Sequence, residues 1–190
     1  VVLTGVGGAK QRDVPAMDCG ESGSTLRFLI PVALALTGGG LFRGKGRLMQ
    51  RPQEPYFEIF REKGIQYSQQ DDTLTVRGTL TPGVYRLRGD VSSQFITGLL
   101  YALPGLEGDS DIVLTTALES SGYIDMTVDA LRQFGVEVRR TAQGWHVPGN
   151  QRCRGRDASV EADYSQSAFF YAMAGMGSDL TVTGMNRSEE

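Results

Sequence analysis

The feature that most limits what this chain can fold into is an internal repeat. "FREKGIQYSQQDDTLTVRG" (60–78) and "LRQFGVEVRRTAQGWHVPG" (131–149) match at a constant spacing of 71 residues, from 60 to 131. Each reads as a helix end, a glycine (Gly64, Gly135), a strand, a polar turn, a second strand and a closing glycine (Gly78, Gly149). Glycine at the first of these points suits the left-handed residue that ends a helix. Upstream, "GDVSSQF" (89–95) is echoed by "ADYSQSAFF" (162–170). The unit therefore runs polar helix start, apolar helix, strand, second helix, hairpin. Such units must stack, because one alone leaves its apolar face uncovered.

Unit one covers 22–78 and unit two 90–149. The first helix starts near Ser24, runs through "LRFLIPVALAL" and stops at "TGGG" (37–40). Pro31, which has no N–H to donate, predicts a kink inside it. "LFRGKGRL" reads as a strand and turn, and Pro52 as the opening of the second helix, where its fixed φ suits the first turn. A third unit begins at Asp163 with a helix ("SQSAFFYAMAGMG") and a strand ("LTVTG"). The opening "VVLTGVGG" reads as the strand that closes an earlier unit. The expectation is a piece of a longer protein, divided into 1–160 and 161–190. The second segment either belongs to another half or folds back to complete the first.

Composition narrows the function. With 40% apolar and 22% charged residues, 190 residues can bury a proper core. A net charge of −3 predicts no broad attraction to nucleic acid or to anionic membranes, so any bound anion must be held by local donors. Cys19 and Cys153 form no CxxC pair, and His146 is the one histidine, which argues against a zinc site or a Cys-His pair. No segment has the length of a membrane span, and no basic-then-apolar leader opens the chain. The expectation is a reduced, cytoplasmic, metal-free protein.

Small hydroxyl residues open the first helix of every unit: Ser22 and Ser24, Ser92 and Ser93, Ser165 and Ser167. Each could simply cap its helix. The spacing of 71 also sets Arg51 and Pro52 on Gly122 and Tyr123, so "QRPQEP" and "SSGYID" occupy one place in successive units. If the units pack in parallel, these helix starts gather at one end. Positive dipole ends, free N–H groups, hydroxyls and Arg51 then surround one region suited to a multiply anionic small ligand. Plainer roles stand beside this one. Arg51 can be a solvated surface charge, Tyr123 a core residue, Arg27 an ion-pair partner, Asp163 an N-cap and His146 a structural residue.

Five stretches in order, "GESGSTLRF" (20–28), "RLMQRPQEP" (47–55), "GDVSSQF" (89–95), "SSGYIDMTVDALRQFG" (120–135) and "VEADYSQSAFF" (160–170), resemble motifs of the 5-enolpyruvylshikimate-3-phosphate synthase family. The resemblance implies an α/β (α+β) protein of repeated βαβαββ units, helices inside and sheets outside, the inside-out α/β barrel of enolpyruvyl transferases. It implies transfer of the enolpyruvyl group of phosphoenolpyruvate to the 5-hydroxyl of shikimate 3-phosphate, in the route to aromatic amino acids, without metal or cofactor. By the same resemblance Ser92, Ser93 and Ser120 hold the shikimate phosphate, and Tyr123 flanks its ring. Gln94 reaches between both substrates, and Gly23, Ser24 and Arg51 adjoin phosphoenolpyruvate, a site that glyphosate occupies in this family. Arg27 and Asp163 are further candidates. The family's first unit, before Val1, and its general acid and base, after Glu190, are absent, so the chain is expected to need the missing half and to lack turnover alone. Two alternatives are a UDP-N-acetylglucosamine enolpyruvyl transferase and a non-catalytic anion-binding domain of the same fold.

Overall fold

The structure is a computed structural model that describes residues 1–4, 14–118 and 121–185. The chain divides into two compact units, Val1–Arg154 and Gly155–Glu190. The first unit runs β1 (Ala16–Asp18), α1 (Gly23–Thr37), β2 (Gly39–Arg43), α2 (Glu54–Lys63), β3 (Gln66–Gln70) and β4 (Thr73–Arg77). It then repeats the plan as β5 (Gly83–Leu87), α3 (Ser93–Ala102), β6 (Ser110–Leu114), α4 (Ser121–Gln133), β7 (Arg139–Thr141) and β8 (Gly144–Val147). The βαβαββ order thus occurs twice.

The strands form two four-stranded sheets, ordered β1-β2-β4-β3 and β5-β6-β8-β7. In each, the first pair is parallel and the others antiparallel. A parallel pair requires a crossover, which α1 and α3 provide, while the last two strands close as tight hairpins. The two sheets differ in register. Leu41 faces Thr75 in the first, but Asp111 faces His146 in the second. The first half of the repeat therefore recurs at a spacing of 70 (41 to 111) and the hairpin at 71 (75 to 146).

Between the sheets lies a helical layer, with α1 against α3 and α3 against α4. Helix α3 is buried along most of its length through Phe95, Ile96, Leu99 and Leu100. Phe42, Leu74 and Val76 of one sheet and Tyr85, Ile112 and Trp145 of the other complete one apolar core. Phe95 meets Tyr56 edge to face, with centroids 4.9 Å apart. Such a pair adds about 0.5–1.5 kcal/mol beyond its buried area.

Helix α1 continues through Pro31. The carbonyl that Pro31 leaves without its N–H partner is that of Arg27, and it accepts from the Tyr56 hydroxyl at 2.7 Å. Helix α2 begins at Glu54 with Pro55 in its first turn, not at Pro52. Pro52 instead follows a 3-10 turn at Leu48–Gln50 and holds Arg51 extended (φ −71°, ψ 136°), as proline requires of its predecessor. Val1–Thr4 form no strand, and the rest of "VVLTGVGG" lies outside the described residues. In the second unit, α5 (Tyr164–Gly175) forms as expected, but "LTVTG" makes no strand. Among the described residues one backbone bond, from Ala162 N–H to the Gly184 carbonyl, reaches that stretch, and a strand needs a ladder.

Gly64 and Gly135 end α2 and α4 with φ of +68° and +80°, as the repeat predicts. His146, in β8, is held through Nδ1 by Asp111 at 2.8 Å, the structural role expected of it.

Candidate functional site

The starts of α1, α3 and α4 converge on a groove of about 720 Å³ whose walls include Ser24, Ser92, Ser93, Gln94 and Tyr123. Ser92 caps α3, its hydroxyl accepting from the Gln94 N–H at 3.3 Å. Ser22 caps α1 in the same way, bonded by Thr25 N–H at 3.1 Å. Ser24 and Ser93 do not cap; they sit one or two residues into their helices and face the groove. Tyr123 is 64% exposed, so core packing does not explain it.

Two buried hydroxyls join α3 to α4 at the floor. Thr127 donates to the Tyr123 carbonyl at 2.8 Å, which spends its one proton. Thr97, 3.2 Å from the Thr127 oxygen, must then be the donor between them. This chain fixes the first turn of α4, and with it the backbone that carries Tyr123.

Gln94 links the groove to a cluster of positive charge. Its Nε2 donates to Ser24 Oγ at 2.9 Å, and its Oε1 accepts from Arg27 Nη1 at 2.8 Å. Arg27 also donates through Nη2 to the Pro52 carbonyl at 3.1 Å and through Nε to Gln53 Oε1 at 3.4 Å. Its guanidinium lies 4.5 Å from the centroid of the Phe95 ring. A half-buried cation–π contact of this kind contributes on the order of 1 kcal/mol. Burial pulls the Arg27 guanidinium below its usual value, and the neighbouring Arg51 charge adds to that shift.

Gly23 sits where the two arginines meet. A Cβ at this position would lie 3.2 Å from Arg51 Nη1, 3.5 Å from Gln94 Oε1 and 4.0 Å from Arg27 Nη1. Among the described residues neither guanidinium has a carboxylate within ion-pair distance. Two like charges held together beside a positive helix start, with no acid between them, form a site for an anion.

Gly23, Ser24, Arg27, Arg51, Ser92, Ser93, Gln94 and Tyr123 therefore come together. Ser120 lies outside the described residues. Asp163 belongs to the second unit, where its Oδ1 accepts from Ser165 N–H at 2.7 Å and Gln166 N–H at 3.2 Å, an N-cap. Gln53, Tyr56, Thr97 and Thr127 are the supporting residues that the sequence reading missed. Pro31 was the available signal for Tyr56, since a proline inside a helix orphans the carbonyl four residues before it.

Comparison with known proteins decides the family. The model for EPSP synthase (3-phosphoshikimate 1-carboxyvinyltransferase) matches residues 1–189. The chain belongs to the EPSP synthase family. A 3-phosphoshikimate 1-carboxyvinyltransferase of Clostridium novyi is 48% identical over 167 residues, covering 86% of this chain and 38% of that protein. One of Clostridium perfringens is 40% identical over 191 residues, covering 99% and 45%. The chain thus spans less than half the length of these EPSP synthase relatives. Two structures of EPSP synthase from Acinetobacter baumannii share its fold, with TM-scores of 0.65 and 0.64 at 24% and 26% identity, over 82% of this chain. Here the EPSP synthase fold appears as two separate sheets over helices, without a closed barrel among the described residues.

Proposed function

We propose that this chain supplies the shikimate 3-phosphate-binding face, and part of the phosphoenolpyruvate site, of a 3-phosphoshikimate 1-carboxyvinyltransferase. That enzyme moves the enolpyruvyl group of phosphoenolpyruvate to the 5-hydroxyl of shikimate 3-phosphate and releases phosphate. The observation that carries the reading is the meeting of Arg27 and Arg51, with no carboxylate in ion-pair distance among the described residues, beside Gly23 and beside Gln94, which also lines the groove.

In this reading Ser92 and Ser93, with Ser120, hold the phosphate of shikimate 3-phosphate, and Tyr123 lies against its ring. Arg51 takes the phosphate of phosphoenolpyruvate, where a planar fork with several donors suits a tetrahedral oxyanion. Gly23 leaves room for that substrate and for glyphosate in its place. Ser24 and Gln94 stand between the two substrates, and Gln94 is oriented by its bonds to Ser24 and Arg27. The chain's contribution is electrostatic positioning, since fixed donors aimed at phosphates need no reorganisation when the substrates meet. The reading assigns no proton-transfer group to these residues, so the 190-residue chain binds without turnover and relies on the rest of the enzyme for chemistry. Two free thiols fit a reducing cytoplasm.

UDP-N-acetylglucosamine as acceptor is not favoured, because the matched family and relatives are named for shikimate. Burial also pushes the Cys19 thiol up, which leaves it a poor nucleophile.

Calorimetric titration of the 190-residue chain with shikimate 3-phosphate, and separately with UDP-N-acetylglucosamine, tests the proposal. Heat is expected with the first alone. Ser93→Ala, which leaves the α3 cap intact, should weaken binding about tenfold, the effect of one hydrogen bond to a charged group. An equal response to the nucleotide sugar, or unchanged binding by Ser93→Ala and Tyr123→Ala, would sink it.

A further inference from the structure

Tyr56 is buried, and burial raises its hydroxyl pKa well above the usual phenol value, so the group is a permanent donor. Its hydroxyl lies 2.7 Å from the Arg27 carbonyl and 3.1 Å from the Phe95 carbonyl. The first of these is the acceptor that Pro31 strips of its helical partner. The second is in α3, one residue past Gln94. The one proton of the Tyr56 hydroxyl, directed to the nearer Arg27 carbonyl and shared with that of Phe95, lets one side chain of α2 bridge the backbones of α1 and α3 at Arg27 and at the residue after Gln94.

The surroundings are built to admit it. Gly98 of α3 faces the hydroxyl, and a Cβ there would fall 2.2 Å from Tyr56 Oη and 2.4 Å from the Arg27 oxygen. Gln53, one turn earlier and 3% exposed, holds the other end of Arg27: its Oε1 accepts from Nε, while its own Nε2 donates to the Arg51 carbonyl at 3.3 Å. Arg27 is therefore gripped at both backbone and side chain by the start of α2. The same two residues connect it to the chain segment that presents Arg51.

We propose that Tyr56 is a positioning residue: its hydroxyl replaces the hydrogen bond that Pro31 removes, and so holds the Arg27–Gln94 pair in register between α1 and α3 for the anion site. Its link to ligand binding rests on the proposed function; its link to Arg27 does not. The device is a proline that opens a vacancy, a phenol that fills it and a glycine that makes the space. Tyr56 touches neither substrate in this arrangement and acts through Arg27.

The test uses the complete 190-residue chain as Tyr56→Phe, Pro31→Ala and the double variant. Tyr56→Phe removes the donor, and Pro31→Ala returns a backbone N–H to the Arg27 carbonyl. Two quantities are read: hydrogen exchange of the Arg27 Nε–H by nitrogen-15 spectroscopy without ligand, and affinity for shikimate 3-phosphate. Tyr56→Phe is expected to speed the exchange and weaken the affinity by about tenfold each, the scale of one orphaned buried acceptor. The double variant should recover both, while the Leu99 and Leu100 amides keep wild-type protection in every variant.

Wild-type exchange at Arg27 in Tyr56→Phe overturns the proposal. So does a double variant no better than the single one, or a loss of protection spread along α3. Should Tyr56→Phe fail to fold, the double variant must fold; a double variant that stays unfolded also overturns it. If the wild-type chain shows no heat with shikimate 3-phosphate, the functional reading falls, and the exchange experiment still decides the role of Tyr56.

Discussion

The two repeats share one topology and diverge where their second helices begin. Helix α2 starts at Glu54, and α4 starts at Ser121, four residues earlier than a spacing of 71 would place it. Arg51 therefore stands in an extended segment ahead of its helix, free to turn a guanidinium toward Gly23. Its counterpart by spacing, Gly122, lies inside the first turn of α4, followed by the exposed Tyr123. One repeat presents a cation and the other a neutral aromatic rim. The sheets and glycine caps keep the scaffold constant, and a shift of one helical turn lets equivalent positions do different chemistry.

The interlock between the repeats gives the sharpest way to break this comparison. Gly98→Ala forces a methyl group against the Tyr56 hydroxyl and the Arg27 carbonyl. Overpacking of this kind typically costs about 1–3 kcal/mol, so the urea midpoint should fall with an unchanged slope. A midpoint equal to wild type would mean that the helices are not locked there.

The contrast between cation and aromatic is sharpened by Arg51→Ala and Tyr123→Phe. Arg51→Ala should lower affinity for glyphosate or inorganic phosphate by about tenfold or more, the loss of a charge-assisted hydrogen bond. Tyr123→Phe should leave those anions unaffected and weaken shikimate 3-phosphate by a few-fold, near the net worth of one neutral hydrogen bond. Calorimetry reads both, and equal effects on all ligands would erase the distinction. Gly23→Ala is the milder partner of Gly98→Ala. Its methyl meets the mobile end of Arg51 at 3.2 Å instead of backbone, so stability should change by no more than about 0.5 kcal/mol while glyphosate binding falls.

The smallest expected effect concerns the approach to α3. Arg88 holds Asp90 through two hydrogen bonds and lowers its pKa to about 2. A depressed folded-state value means that the pair's stabilisation is present above the ordinary carboxylate pKa and is lost as the pH falls toward 2. Carbon-13 titration of the Asp90 carboxyl should show a midpoint near 2, and Arg88→Gln should return it toward 3.8.

Much of this was legible in the residues because the repeat is marked by backbone-determined features. Gly64 and Gly135 stop helices, and polar turns join β3 to β4 and β7 to β8, whatever packs around them. The leading strand β1 was not legible from the residues themselves. Its three residues, "AMD", carry too little alternation to register, and pairing with β2 makes them a strand. The converse holds for "LTVTG", which has strand composition but no ladder. The resemblance identified the groove residues. Neither resemblance nor pattern pointed to Gln53, Thr97 and Thr127, because their roles depend on which helices become neighbours.

The division into two sheets has a mechanical consequence. Among the described residues no ladder of hydrogen bonds ties one sheet to the other, so the repeats are fastened through side chains of the helical layer, with Lys63 lying over Tyr85 as a clasp. The groove straddles that seam, from Ser24 on one side to Tyr123 on the other. A ligand seated in it becomes a rivet: it should slow the opening of that seam, so that the two repeats melt as a single welded piece.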